Sequence, residues 1–252
     1  METKRLEGIW NEYAENYDVL NQLRPYQDLF TSVINELLPA FSNPLVLDVA
    51  CGTGNFSYWL KAGEKSRGYV VTGLDNSDEM LKVAEKKNPE ENFLFLKHDL
   101  NSKLPFDEDW FFDQVVSINT LYSVENPLEV LAEYSRVIKK GGRLILVNPK
   151  KGYENGMIIK KHCLDNGEDG PWLGMNFSEE KGIELLNRVI SDERIRGKMM
   201  AVAKINREIS QQKKFHFLSS ADLTQLVCLE GFKILKDEKV YADQAIMIVA
   251  EK

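Results

Sequence analysis

The stretch Leu45-Val46-Leu47-Asp48-Val49-Ala50-Cys51-Gly52-Thr53-Gly54 limits the fold of this chain more than any other. A nearly continuous apolar run that ends in a glycine turn is the profile of a strand buried on both faces, as in parallel sheets covered by helices. It also holds an anomaly. Asp48 stands inside the run, where a lone carboxylate is costly unless a ligand or its waters use it.

Downstream, strand and helix signals alternate. Tyr69 to Asp75 reads as a second strand, and Ser77 caps a helix whose first turn holds Asp78 and Glu79, favourable to the helix dipole. Phe93 to Leu96 is a third strand and Asp113 to Ile118 a fourth. Asn126 as cap and Pro127 at the first helical position start the next helix, which Gly141-Gly142 is expected to end before a fifth strand, Arg143 to Val147. Such alternation implies right-handed crossovers onto one mainly parallel sheet with helices on both faces. Residues 151–215 break the rhythm with Gly, Asn and Asp punctuation and a helical stretch from Asn187 to Gln212, read as an inserted cap. From Ser219 the pattern resumes: a helix stopped by Gly231, then strands Phe232 to Leu235 and Ala245 to Ala250, expected to form an antiparallel closing hairpin.

In an open α/β sheet, ligands bind beyond the carboxyl ends of the strands. There stand Ala50, Gly52 and Gly54 after the first strand, small residues that let ligand atoms approach the backbone while the next helix points its N-terminal amides at them. Asp75 ends the second strand, about 20 residues on, where nucleoside-binding units place the carboxylate that accepts ribose hydroxyls. Asp99 follows the third strand, placed to accept from an adenine amino group with Leu100 against the ring, and Asn119 follows the fourth. Singly, the glycines could merely close a turn and the aspartates could be solvated. Together they lie where one nucleoside could touch them all. The turn alone leaves NAD open, although Ser57 is a poor match for the third small residue of a dinucleotide fingerprint, and a ligand ammonium would explain Asp48.

Asp48-Val49-Ala50-Cys51-Gly52-Thr53-Gly54 resembles the first motif of class I S-adenosylmethionine-dependent methyltransferases, with Ala50 in place of the first glycine. Trp10-Asn11-Glu12-Tyr13-Ala14-Glu15-Asn16-Tyr17-Asp18 is similar to the N-terminal signature of the branch that contains ubiquinone and menaquinone biosynthesis methyltransferases, where the segment folds over the cofactor. The resemblance, which covers most of the chain except the cap, implies, with the helical cap insertion read above, a Rossmann-like α/β fold: a seven-stranded, mostly parallel sheet with helices on both faces and an antiparallel C-terminal hairpin. It divides the chain into a helical segment over the cofactor site (1–43), a cofactor-binding core (44–150), the cap (151–215) and the closing helix and strands of the core (216–252). It implies S-adenosyl-L-methionine as cofactor, with Asp48, Ala50, Gly52 and Gly54 on its methionyl part, Asp75 on its ribose and Asp99 on its adenine. Tyr17, Asn76, Met80, Leu100 and Asn119 complete the expected cofactor contacts.

Methyl transfer from a sulfonium is an in-line displacement with a neutral leaving group, so the protein chiefly aligns the nucleophile and no catalytic triad is required. His162, His216 and Tyr122 are the candidates for a base, with His98 beside Asp99. Tyr13, Tyr122, Trp172 and Phe177 are candidate wall residues of an acceptor pocket, and the apolar side of the Met199, Met200, Val202 and Ile205 helix could cover that pocket or pair with another subunit, leaving a homodimer open. Lys plus Arg number 32 against 39 Asp plus Glu, a net charge of −7, which gives no basic footprint for a phosphate backbone. A small organic acceptor is therefore expected over nucleic acid, with a methyltransferase acting on protein or RNA, or an NAD-dependent oxidoreductase, as the alternatives. Asn119-Thr120-Leu121-Tyr122 has a partial likeness to the Asn-Pro-Pro-Tyr motif of amino-group methyltransferases but lacks both prolines. The cysteines Cys51, Cys163 and Cys228 show no metal-ligand spacing, so no metal site is expected, and with no long apolar run and no signal peptide a cytoplasmic protein off the membrane is expected.

Overall fold

The computed structural model describes residues 2–39, 43–63, 68–107, 112–168, 182, 184, 190–212 and 215–252. In chain order the elements are α1 (Glu2–Tyr17), a short 3-10 turn (Asp18–Gln22), α2 (Arg24–Asn35), β1 (Leu45–Val49), α3 (Asn55–Ala62), β2 (Val70–Asp75) and α4 (Asp78–Lys87). There follow β3 (Phe93–Lys97), β4 (Phe112–Ile118), α5 (Pro127–Val137), β5 (Ile138–Pro149), α6 (Asn155–Asp165), α7 (Glu193–Gln212), α8 (Ser220–Leu229), β6 (Lys233–Val240) and β7 (Ala245–Glu251).

The strands form one seven-stranded sheet in the order β3-β2-β1-β4-β5-β7-β6. Its first five strands run parallel and β7 is antiparallel to both β5 and β6, as the alternating pattern and the closing hairpin led us to expect. The order reverses beside β1, so the carboxyl ends of β1, β2 and β4 open together into one crevice.

Both faces are buried, which explains why β1 reads as a continuous apolar run. Val46, Val71, Val116, Ile145 and Met247 lie under the face that carries α1 to α4, α6 and α7. Leu47, Val49, Leu74, Val115 and Leu146 lie under the opposite face, packed by α5 and α8. The caps sit where polar side chains compete for the first backbone amides: Ser77 accepts from Met80 N–H on α4, Asn126 from Leu128 N–H on α5, and Ser219 from Asp222 N–H on α8.

Two boundaries differ from the sequence pattern. Gly141-Gly142 does not end α5. The helix stops at Val137, because Ile138 is already buried opposite Phe112 as the first residue of β5. The glycines form a bulge before pairing resumes at Gln114 and Arg143; Gly141 has φ +77°, and a Cβ on Gly142 would lie 2.8 Å from the Lys139 carbonyl oxygen. β6 runs five residues past Leu235, and as an edge strand it carries Lys233, Lys236 and Lys239, charges that discourage pairing with another chain.

Leu131 on α5 is wholly buried on the face away from the crevice. Leu131→Ala is expected to cost about 2–5 kcal/mol in urea unfolding, while cofactor affinity measured on the folded fraction stays at the wild-type value.

Candidate functional site

A cavity of about 850 Å³ lies over the carboxyl edge of the sheet, within the size range of organic ligand sites. Of the residues expected at the cofactor, Tyr17, Ala50, Gly52, Asp75, Asn76, Met80, Asp99, Leu100 and Asn119 line it, with His98 beside Asp99. Tyr13 and Tyr122 also line it. Trp172 and Phe177 fall outside the described residues.

The end of the cavity over β1 and β2 is built on backbone. Asp75, 8% exposed, accepts from Gly52 N–H through one carboxylate oxygen and from Ser77 N–H through the other, each at 2.9 Å. It thus ties the glycine turn after β1 to the start of α4. Burial raises its pKa above the ordinary carboxylate value, and the Ser77, Gly52 and Asn76 amides oppose that rise. Gly52 has φ +54°, and a Cβ placed on it would meet nothing closer than the Tyr17 ring at 3.8 Å, so the open space above this turn is space for a ligand. Ala50 and Asn119, ending β1 and β4, also have left-handed backbones, φ +53° and +52°, a strain that concentrates at functional sites.

Two of the buried side-chain oxygens that lack a partner among the described residues belong to residues expected at the cofactor. Asp48, 3% exposed, has its Oδ2 buried and unbonded, and burial first and the charge of Asp75 second raise its pKa well above the ordinary carboxylate value. Asn119 Oδ1 is likewise buried without a partner. A buried acceptor left unbonded costs about 1–3 kcal/mol, so both are oxygens that a donor, such as an ammonium or a bridging water, would satisfy.

Several expected site residues are not among the cavity's lining. Asp48 lies within β1, beneath it. Gly54 serves packing: its φ is +69° and a Cβ there would lie 2.7 Å from Asn88 Nδ2 and 3.0 Å from Ala84 Cβ, so it lets α3 start against α4. His162 is a structural histidine on α6; its Nδ1 accepts from the Arg24 backbone N–H at 3.1 Å, and burial lowers its basicity. His216 is held by its backbone, donating to the Tyr122 carbonyl oxygen at 2.7 Å, and it too is absent from the lining. Among the described residues neither histidine is therefore placed as a base.

The N-terminal segment closes over this edge. Ser77 Oγ donates to Asn11 Oδ1 at 2.6 Å, fixing α1 to the start of α4. Lys87 Nζ reaches both Asp18 carboxylate oxygens (2.8 and 2.9 Å), Asn55 Oδ1 (2.6 Å) and Thr53 Oγ1 (3.2 Å), binding the turn after α1 to the glycine turn after β1. Lys87 is largely buried; burial lowers its basicity and the Asp18 carboxylate opposes that.

The other end of the cavity is aromatic. Tyr122 and Phe217 stack with centroids 5.7 Å apart and planes 16° apart, and Phe217 and Tyr153 continue the row at 5.9 Å and 10°. Phe215 leans on Tyr122 at 5.0 Å, and Met199, Val202 and Ala203 of α7 also line this end. Tyr241 enters from the β6–β7 turn, where residues 241–243 all have left-handed backbones. Of this wall the sequence pointed to Tyr13 and Tyr122; Phe215 and Phe217 were missed although their apolar alternation about His216 could have found them, and Tyr26, Tyr153, Asn155, Asn206 and Tyr241 gave no signal.

The methyltransferase domain family matches residues 47–146. A Bacillus subtilis protein named as a methyltransferase, YqeM, is 37% identical over 185 residues, 71% of each chain. The chain belongs to the class I S-adenosylmethionine-dependent methyltransferases. The demethylmenaquinone methyltransferase of Staphylococcus carnosus is 26% identical over 92% of this chain and 86% of its own. The sheet is shared with a Haloferax volcanii methyltransferase solved with the Trm112 activator (TM-score 0.62, 17% identity, 96% of each chain). It is shared also with the magnesium protoporphyrin IX methyltransferase of Synechocystis with bound S-adenosylhomocysteine (TM-score 0.56, 18% identity, 93% of this chain and 87% of that one).

The cofactor of this methyltransferase is S-adenosylmethionine, and the site fits it: an open glycine turn, a carboxylate at the end of β2 and unpartnered buried oxygens on Asp48 and Asn119. Among the described residues there is no cluster of metal-ligating side chains, and no helix is long and apolar enough to cross a membrane.

Asp75→Ala releases the glycine turn and removes a carboxylate from the cavity, so S-adenosylmethionine affinity in calorimetry is expected to fall at least about tenfold, the loss of one charged hydrogen bond. Asp48 gives a pH signature. Because its folded-state value is raised, the folded protein holds the proton more tightly, so this group's contribution is fully present at acid pH and is lost as pH rises from the ordinary carboxylate value through the raised one. Asp48→Asn abolishes that loss; its unfolding free energy relative to wild type is expected to increase with pH across that window.

Proposed function

We propose that this methyltransferase acts on a small, ring-bearing organic molecule held at the aromatic end of the cavity. The observation that carries the reading is the near-parallel row Tyr122, Phe217 and Tyr153, which lines the same cavity as Gly52 and Asp75 and offers a flat wall for a planar ring. Two proteins it resembles have names that specify ring compounds as acceptors, demethylmenaquinone and magnesium protoporphyrin IX. The net charge of −7 also favours a small acceptor over a polyanion.

On this reading Ala50 and Gly52 present backbone to the methionyl part, Asp75 accepts the ribose hydroxyls, and Asp99 with Leu100, Asn76 and Met80 surrounds the adenine. Asp48, through water, and Asn119 take the ammonium, and Tyr17 closes the site from above. The bound cofactor supplies a methyl group on a positively charged sulfur that leaves as a neutral thioether. The chain's own part is alignment and exclusion of water: the aromatic row fixes the acceptor ring while α1, α6 and α7 wall off solvent, and such positioning supplies about 7–11 kcal/mol of a barrier in favourable cases. Burial raises the Tyr13, Tyr122 and Tyr153 phenols well above their ordinary value, so they stay protonated and serve as donors and packing, not as bases. An acceptor atom that already carries a free lone pair suits this site.

Incubation with methyl-labelled cofactor and a size-fractionated cell extract tests the proposal. Label is expected in an organic-soluble small-molecule fraction, and Phe217→Ala should cut it by at least about tenfold, as loss of a stacking contact and its buried area predicts. Label confined to protein or RNA would contradict it.

A further inference from the structure

The acceptor end holds two asparagines that the reaction described so far does not use. Asn155 opens α6 and Asn206 lies on α7, and both line the cavity. Each has its amide carbonyl occupied by a tyrosine. Tyr153 Oη donates to Asn155 Oδ1 at 2.7 Å, and Tyr13 Oη donates to Asn206 Oδ1 at 2.9 Å across 193 residues of sequence. Tyr13 is 3% exposed and Asn206 is the partner of its hydroxyl, so this bond is sheltered from water. A carbonyl held in this way fixes the amide plane and leaves the –NH2 group as the free half, with two donors to offer. Neither –NH2 group has a partner among the described residues. Tyr153 is also the last ring of the aromatic row, which puts the Asn155 donor at the end of the flat wall.

The charge of the surroundings selects among oxygen ligands. Among the described residues the lining contains no lysine or arginine, and its carboxylates are Asp75, Asp99 and Glu154. A carboxylate or phosphate on the acceptor would meet only like charge there. A neutral oxygen would meet two amide donors. We propose that Asn155 and Asn206 are the specificity-determining pair of the acceptor site, and that they donate hydrogen bonds to an uncharged oxygen, a carbonyl or phenolic oxygen, carried by the ring system that the aromatic row holds. The assignment rests on the ring-bearing acceptor proposed above. It adds which polar group the ring must carry and which residues read it. A buried site built to hydrogen-bond a substrate group rejects analogues that lack it, because its own donors are then left unpaired.

Calorimetry on the enzyme saturated with S-adenosylhomocysteine tests this with three probes of similar ring size: α-tetralone, which carries a ketone, tetralin, which has no oxygen, and naphthoate, which carries a charge. The wild type is expected to bind α-tetralone about tenfold more tightly than tetralin, and naphthoate more weakly than either, as one to two satisfied hydrogen bonds predict. In Tyr153→Phe combined with Asn155→Leu, and in Tyr13→Phe combined with Asn206→Leu, so that no hydroxyl is orphaned, the ketone's advantage should fall severalfold. Tetralin and S-adenosylhomocysteine affinities should hold, which also shows that the variants are folded. Equal wild-type affinity for α-tetralone and tetralin, or preference for naphthoate, would overturn the assignment while leaving the ring-bearing acceptor standing. Failure of all three to bind would overturn both.

Discussion

The Asp75 carboxylate organises the cofactor end of this molecule. Its two oxygens accept from Gly52 and Ser77, so one buried acid ends β2, holds the glycine turn that ends β1 and sets the start of α4. Without it the left-handed Gly52 backbone would lose its anchor and the first amides of α4 their neighbour. The carboxylate is buried at a cost that its backbone donors offset in part. A bound ribose would supply two further donors, so ligand binding and turn stability draw on the same atoms.

A chain of dependence runs outward from that turn. Thr53 and Asn55 follow Gly52, and Lys87 grips both together with Asp18, so the placement of α1 over the site is inherited from the turn beneath it. Tyr13 on α1 then reaches Asn206 on α7. The aromatic end of the cavity is thus linked to the end over β1 and β2 through α1, by hydrogen bonds of which one spans 193 residues of sequence. Ordering of the N-terminal turn by cofactor would on this geometry also order the acceptor wall, a coupling between two sites carried by one contiguous network.

That Gly52, Asp75 and Asp99 share one cavity was legible in the sequence because the physics there is local. Gly52, Asp75 and Asp99 each follow a strand, and the rule that ligands bind at those ends needs only strand positions. Asp48 was legible as an anomaly, and the structure makes it one: buried, unpartnered and under the cavity. Gly54 was misread because the same residue type serves close ligand approach and close helix packing, and only the position of Asn88 separates the two. The Gly141-Gly142 pair was misread for a similar reason, since a bulge and a helix end demand the same left-handed freedom. Of the aromatic end only Tyr13, Tyr122 and the Met199 helix were legible, because its residues come from α1, α6, α7, the β6–β7 turn and the segment before α8, and no periodicity in the chain encodes that meeting. His162 and His216 show the converse, titratable residues with a plausible chemistry and a structural job.

The central claim is that one cavity binds cofactor at the β1–β3 edge and acceptor at the aromatic row, with Asn119 between them. The position of S-adenosylhomocysteine in a crystal structure of its complex tests this most directly. The account predicts ribose on Asp75, adenine beside Asp99 and Leu100, and the sulfur facing the Tyr122 and Phe217 wall. A nucleoside lying along Phe217 and Tyr153, or a sulfur turned away from that wall, would contradict it.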